Sequence, residues 1–216
     1  MKNKFAFVLL LVSIAFCGGV LTAAAQTKTK FSYAAQKKFI PAELGQVYLG
    51  MPFKSFAGKF DFRASEADDQ FSWLQVRTPF KKGNVEEVIF RIHGLSQEEQ
   101  SAVVRLDKIK VKVEDSDIEY DREIKRLDAA KIPAGKGVVY EINVRYRKGF
   151  DLKSLAIKMF GATKDVYKKG DDYHIYDMQW FKKTADGLIW LVRYHEEANI
   201  LQLSGRIKGT EWDPNA

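Results

Sequence analysis

Apolar side chains recur at every second position through Val138, Tyr140, Ile142, Val144 and Tyr146, the period of a strand that turns one face to a core. A similar alternation runs over 71–78, where Phe71, Trp73 and Gln75 oppose Ser72, Leu74 and Val76. It recurs over 85–93, where Val88, Phe90 and Ile92 lie mainly opposite Glu87, Arg91 and His93. Residues 79–84, with Pro79 and Gly83, predict the hairpin connection between these two strands. Three further strands are predicted from His174, Tyr176, Met178 and Trp180, from Trp190, Val192 and Tyr194, and from Leu201 and Leu203. Turn residues at 184–187 and 196–199 divide them. Helical spacing replaces this period twice. Phe53, Phe56, Ala57 and Phe60 follow Leu49-Gly50-Met51-Pro52 at i, i+3, i+4 and i+7 and predict a helix over 52–60, with Pro52 in its first turn. Leu152, Leu155, Ala156, Met159 and Phe160 predict a second, with Asp151 as N-cap and Gly161 as its stop.

The order helix, strand, strand therefore occurs twice. Phe53, Phe56 and Ala57 precede Leu152, Leu155 and Ala156 by 99 residues, and Val88, Phe90 and Ile92 precede Trp190, Val192 and Tyr194 by 102. Such offsets point to an internal duplication. The expected fold is α+β, with antiparallel β-meander sheets and short packing helices. The first unit spans 46–148 and the second 149–216. Residues 95–135 form a charged insert in the first unit. Two capping-box patterns, Ser96…Glu99 and Ser116…Glu119, predict helix starts there. Tyr120, Ile124 and Leu127 continue the second as a helical stripe, and Ile109, Val111 and Val113 form a short strand between the two. Residues 26–45 are polar and lack a sustained period, which predicts a linker or N-terminal arm.

The first 25 residues differ in kind. Lys2 and Lys4 precede an apolar run from Phe5 to Thr22, and Ala23-Ala24-Ala25 stands before Gln26, the layout of a secretory signal peptide. Cleavage near Ala25-Gln26 is expected, with a periplasmic or extracellular mature chain. An uncleaved anchor is the first rival reading, since the run is long enough to cross ~30 Å of hydrocarbon, but Gly18-Gly19 interrupt it. A lipoprotein acylated at Cys17 is the second, opposed by bulky Phe16 where a small residue is wanted. Contact with the membrane is expected only through this segment, if it is kept. Cys17 is the one cysteine of the 216 residues, so cleavage leaves no thiol for disulfides, thiol catalysis or thiolate metal sites.

Charge adds little beyond this. The formal net charge of +7 falls to +5 without Lys2 and Lys4 (33 basic against 28 acidic residues), and the charges are interspersed. No basic cluster interleaved with stacking aromatics indicates nucleic acid, which export also disfavours as a partner. His93, His174 and His195 fit no spaced metal motif. His93 and His195 do stand at matching strand ends, where a paired site is conceivable. The acidic run from Glu114 to Glu123 lacks the glycine that a calcium loop needs for its sharp turn. Asp68-Asp69 and Asp171-Asp172 each offer at most one carboxylate to a site, because neighbours on an extended chain point opposite ways. No cofactor or metal is implied. Aromatics and strand-end histidines give the candidate binding surface: Trp73, His93, Trp180, His195 and Trp212.

A leading Leu49-Gly50-Met51-Pro52-Phe53, then a short helix and a β-meander, resembles the fold of β-lactamase-inhibitor proteins and related small outer-membrane assembly lipoproteins. The likeness covers roughly 46–93 and 150–206, with Gly149-Phe150 standing in place of Gly-Met in the second half. It implies a fold and carries no site residue across. The leading expectation is an exported, non-catalytic binding or assembly module of the cell envelope, its partner another envelope protein or an anionic envelope component. The alternative is an exported hydrolase with a dispersed carboxylate/histidine site.

Overall fold

The structure is a computed structural model that describes residues 31–60, 65–70, 72–80, 83–168 and 174–215. Seven strands form one antiparallel sheet: β1 (Glu66–Asp69), β2 (Leu74–Pro79), β3 (Val85–His93), β6 (Val138–Tyr146), β7 (Met178–Lys183), β8 (Ile189–His195) and β9 (Ile200–Gly205). Their spatial order is β1-β2-β3-β6-β9-β8-β7. Each half of the chain thus supplies a three-stranded meander, β2-β3-β6 or β7-β8-β9, and the two meet at the β6–β9 pair. The fold is α+β, as the patterning predicts. Among the described residues four short α-helices accompany the strands: α1 (Tyr33–Gln36), α2 (Phe53–Ala57), α3 (Gln97–Ala102) and α4 (Leu152–Phe160).

One face of the sheet carries the core. Leu74 and Val76 on β2, Phe90 and Ile92 on β3, Ile142 and Val144 on β6, Leu201 and Leu203 on β9 and Trp190 and Val192 on β8 are all buried. From α2, Phe56 sets its ring 4.6 Å from Phe90. From α4, Phe160 lies 5.7 Å from Trp180. Asp151 caps α4 through the Ser154 N–H at 3.0 Å, and Gly161 ends it. The helix predicted over 52–60 stops at Ala57, and Phe60 reaches the same ring cluster from the following turn, 5.3 Å from Phe90.

The arm expected over 26–45 is, from Phe31 onward, part of the core. Phe39, Ile40 and Leu44 are buried, and Phe39 packs 5.8 Å from Trp190. The sequence signal was hidden because a polar residue makes the attachment. Gln36, wholly buried, donates to the Leu49 carbonyl and accepts from the Leu49 N–H, both at 3.0 Å. Asp186 in the β7–β8 turn accepts the Ser32 N–H at 2.9 Å. Gly50, at φ +82°, lets the Phe31 ring occupy the space a β-carbon would take, 2.2 Å from Phe31 Cδ2. That close approach is a physical reason for the glycine in Leu49-Gly50-Met51.

The insert is mainly a β-hairpin. Ser96 and Glu99 do form their capping box at the start of α3, but Ser116…Glu119 starts no helix. Residues 113–118 turn the chain between β4 (Val104–Lys112) and β5 (Glu119–Leu127), with Asp115 at φ +59° and the Val113 N–H on the Ile118 carbonyl at 2.9 Å. Tyr120, Ile124 and Leu127 are therefore strand residues. The helical reading failed because long-range pairing outweighs local spacing. One hairpin face is a cross-strand charge ladder, with Lys110–Asp121 at 2.8 Å and Lys108–Glu123 at 3.8 Å. Two strands also begin later than predicted. β2 starts at Leu74 rather than at 71, and β7 at Met178, which leaves His174 and Tyr176 outside it.

Candidate binding face

The side of the sheet opposite the helices is polar. Alternation places Gln75 and Arg77, Glu87 and Arg91, Asn143 and Arg145, Gln202 and Ser204, and Arg193 and His195 there. A register shift between Arg91 and Ile92 changes the pattern on β6: Glu141 lies opposite Arg91, but Val139 lies opposite Ile92. The bulge leaves Tyr140 over, so its ring comes to lie 6.1 Å from His93 instead of entering the core with Ile142. Val138, opposite His93, likewise leaves the core face to which simple alternation assigns it.

Glu141 is the centre of this face. Its side chain is wholly buried, yet both oxygens are engaged. Oε1 pairs with the Arg91 guanidinium, 3.1 Å from Nη1, and accepts from Asn143 Nδ2 at 2.9 Å. Oε2 accepts from Ser204 Oγ at 3.0 Å and Trp212 Nε1 at 2.7 Å. A buried carboxylate held by three hydrogen bonds and an arginine is a fixed acceptor. Arg91 Nη1 also meets Glu211 at 2.9 Å, and the guanidinium lies 4.8 Å from the Trp73 ring. Burial raises the Glu211 pKa, and the nearby Glu141 charge raises it further against the pull of Arg91. Burial also raises the Tyr140 pKa, well beyond the ordinary phenol range.

The network continues along the sheet. Arg193 stacks over Trp212 at 4.8 Å and Tyr176 at 5.4 Å, and its Nε donates to Gln179 Oε1 at 2.8 Å. Gln179 and Tyr176 both donate to Asp165, at 2.9 and 2.7 Å. Residues 206–215, after β9, lie across this part of the face as a strap. Gly209 packs onto His93, whose Nε2 is 3.0 Å from where a glycine β-carbon would stand. A cleft of about 280 Å³ opens beside the strap, between Phe181, Leu191, Arg206 and Trp212.

Three of the five sequence candidates, Trp73, His93 and Trp212, gather here around Arg91, Glu141 and Glu211. Trp180 does not. It is 3% exposed, on the core side, and its Nε1 donates to the Gly161 carbonyl at 2.8 Å. His195 shares the polar face but stands at its other end. His93 is in register with Val138, and His195 with Ile200, which pairs with Arg145. Seven residues of β6 separate those levels, roughly 23 Å at 3.3 Å per residue, so the two histidines form no paired site. His195 is half-buried with Gln202 at 3.4 Å, and burial lowers its pKa. Asp69 belongs to another surface, bonded to Lys125 of the hairpin at 2.5 Å, which holds its pKa low. Asp171 and Asp172 lie outside the described residues.

Sequence reasoning missed Arg91, Glu141, Arg193 and Glu211. Glu141 had a visible signal, as an acid within the most regular apolar alternation of the chain. The partners come from strands and a strap far apart in sequence, which no local pattern reports. Among the described residues no cluster of three or more histidine, cysteine or acidic side chains is arranged to hold a metal ion. Compared with known protein families, curated proteins and solved structures, the chain matches none.

Proposed function

We propose that the chain is an exported, non-catalytic binding module of the cell envelope, and that its partner docks on the polar face of the seven-stranded sheet. The observation that carries this reading is the Arg91–Glu141–Trp212 network, which fixes arginine and aromatic side chains on a sheet face that no helix among the described residues covers. Arginine, tryptophan and tyrosine are the residues that dominate binding hot spots, and side chains already held in place lose little entropy on binding. A protein partner fits better than an anionic polymer. Three of the arginines here already have carboxylates: Glu87 lies 3.5 Å from Arg77 and 3.4 Å from Arg145, and Glu141 holds Arg91. Export rests on the signal-peptide layout of the first 25 residues. The same reading takes the two halves as copies of one helix-and-meander unit, as the resemblance to β-lactamase-inhibitor proteins implies. The mirrored order β2-β3-β6 and β9-β8-β7 supports it.

The test is site-specific photo-cross-linking in intact cells. A photoreactive side chain at Gln75 or Gln202, on the polar face, should capture one defined envelope protein. The same probe at Ile157, exposed on α4, should not. Capture from Ile157 alone, or equally from all three positions, overturns the proposal.

A further inference from the structure

The strap is attached to the sheet in an unusual way. Beyond Arg206, whose N–H bonds the Ile189 carbonyl at 2.9 Å, its main-chain hydrogen bonds turn inward on the strap itself. Thr210 N–H meets the Ile207 carbonyl, Asp213 N–H meets the Thr210 carbonyl, and Gly209 N–H meets the Asp213 carboxylate. No β-ladder joins it to the sheet among the described residues. Besides the packing of Gly209 on His93 and of Ile207 against the core, its polar hold on the face comes from two adjacent side chains: Glu211 on Arg91, and Trp212 between the Glu141 carboxylate and the Arg193 guanidinium. A self-bonded turn held by side chains can lift as one unit.

Resting on the reading above, we propose that Glu211 and Trp212 occupy the binding face as an internal ligand. The partner segment that displaces them carries the same chemistry, a carboxylate side chain next to an aromatic one. Charge complementarity sets this choice. The seat offers Arg91 for a carboxylate, the Arg193 guanidinium for an aromatic ring to stack on, and Glu141 as an acceptor for an indole N–H. Two buried donors at the Arg91 end, Trp73 Nε1 and Arg91 Nε, have no hydrogen-bond partner among the described residues while the strap is docked. An incoming segment with one more acceptor satisfies what the strap leaves unmet, which favours exchange. The neighbouring cleft, lined by Phe181, Leu191 and Arg206, gives the remainder of such a segment room.

The probe is a fluorescent peptide with the strap's own sequence, Gly-Thr-Glu-Trp-Asp-Pro, titrated with the full mature protein and read by anisotropy. The intact chain should bind it weakly, because the seat is filled and apparent affinity scales with the fraction open. Trp212→Ala should bind at least tenfold tighter, and adding Arg91→Ala should remove that gain. A peptide with Gln and Ala in place of Glu and Trp should not bind. Glu211→Ala, which loosens the strap without leaving a hole under an indole, provides the same measurement should Trp212→Ala lose its cooperative unfolding transition. No gain over the intact chain in the folded variants overturns the inference. So does a concentration-dependent dimer of the intact chain that Trp212→Ala abolishes, since the occupant is then the strap of a second copy. Failure here with cross-linking from Gln75 intact removes only this inference; loss of the cross-linking removes the reading beneath it.

Discussion

At Glu141 a wholly buried carboxylate engages side chains from three strands and from the strap. Removing it leaves the Arg91 guanidinium and the Trp212, Ser204 and Asn143 donors to find other acceptors. Deleting one partner of such a network costs about 3–5 kcal/mol. Glu141→Ala should lower stability by that order in denaturant titration, and Glu141→Gln, which keeps an acceptor and the shape, by clearly less. Equal losses would mean that the negative charge, and not the shape or a neutral acceptor, holds the site. Gly50 makes a second case. Any other residue there is strained at φ +82° and meets the Phe31 ring, so Gly50→Ala should cost at least about 1–2 kcal/mol. The two residues differ in how readable they are. A glycine before a helix and an acid within an apolar alternation are both visible in one sequence. The β6 bulge that turns Tyr140 outward is set by cross-strand register, which it does not display.

Among elements, the α1 segment shows how a polar sequence becomes structural. Its hold depends on Asp186, whose pKa burial tends to raise; hydrogen bonds from Thr184, Ser32, Gln36 and Leu188 outweigh this and leave it lowered. A carboxyl whose folded pKa is depressed contributes stability above its unfolded value near 3.8, and loses it as the pH falls through the lower folded value. Asp186→Asn should therefore lie below the parent chain at neutral pH and converge with it in acid, as followed by urea unfolding from pH 6 to pH 2. Parallel curves would show that Asp186 takes no part. The strap has the opposite sign. Glu211 faces Arg91, Glu141, Tyr140 and Arg193, and its pKa is raised. Its folded form thus binds a proton more readily than its unfolded form, and its contribution to stability declines as pH rises from about 4.5 through the raised value. Glu211→Gln should remove that decline. The hairpin was the least legible element. Its β5 apolar residues fall at spacings that also suit a helix, and only the partner strand with its lysine ladder decides between the two.

For the molecule as a whole, antiparallel meanders with an apolar face follow from the strand alternation and were readable in the sequence. Their union into one seven-stranded sheet through β6 and β9 was not, because two equal units allow several ways of joining. The proposed export bears on how the core is held. With Cys17 the only cysteine, a chain cut after Ala25 has no disulfide available, and its stability rests on burial and on polar networks such as those at Gln36 and Glu141. Two measurements follow from one preparation of the exported protein. Intact mass should correspond to a chain beginning at Gln26, and replacing Ala23 and Ala25 with bulky residues should make the uncut precursor accumulate. The unfolding midpoint of the exported form should not change when a strong thiol reductant is added. A mass that retains Cys17, or one increased by acyl chains, places the protein on the membrane instead. The polar face would then meet its partner at the bilayer surface rather than in free solution.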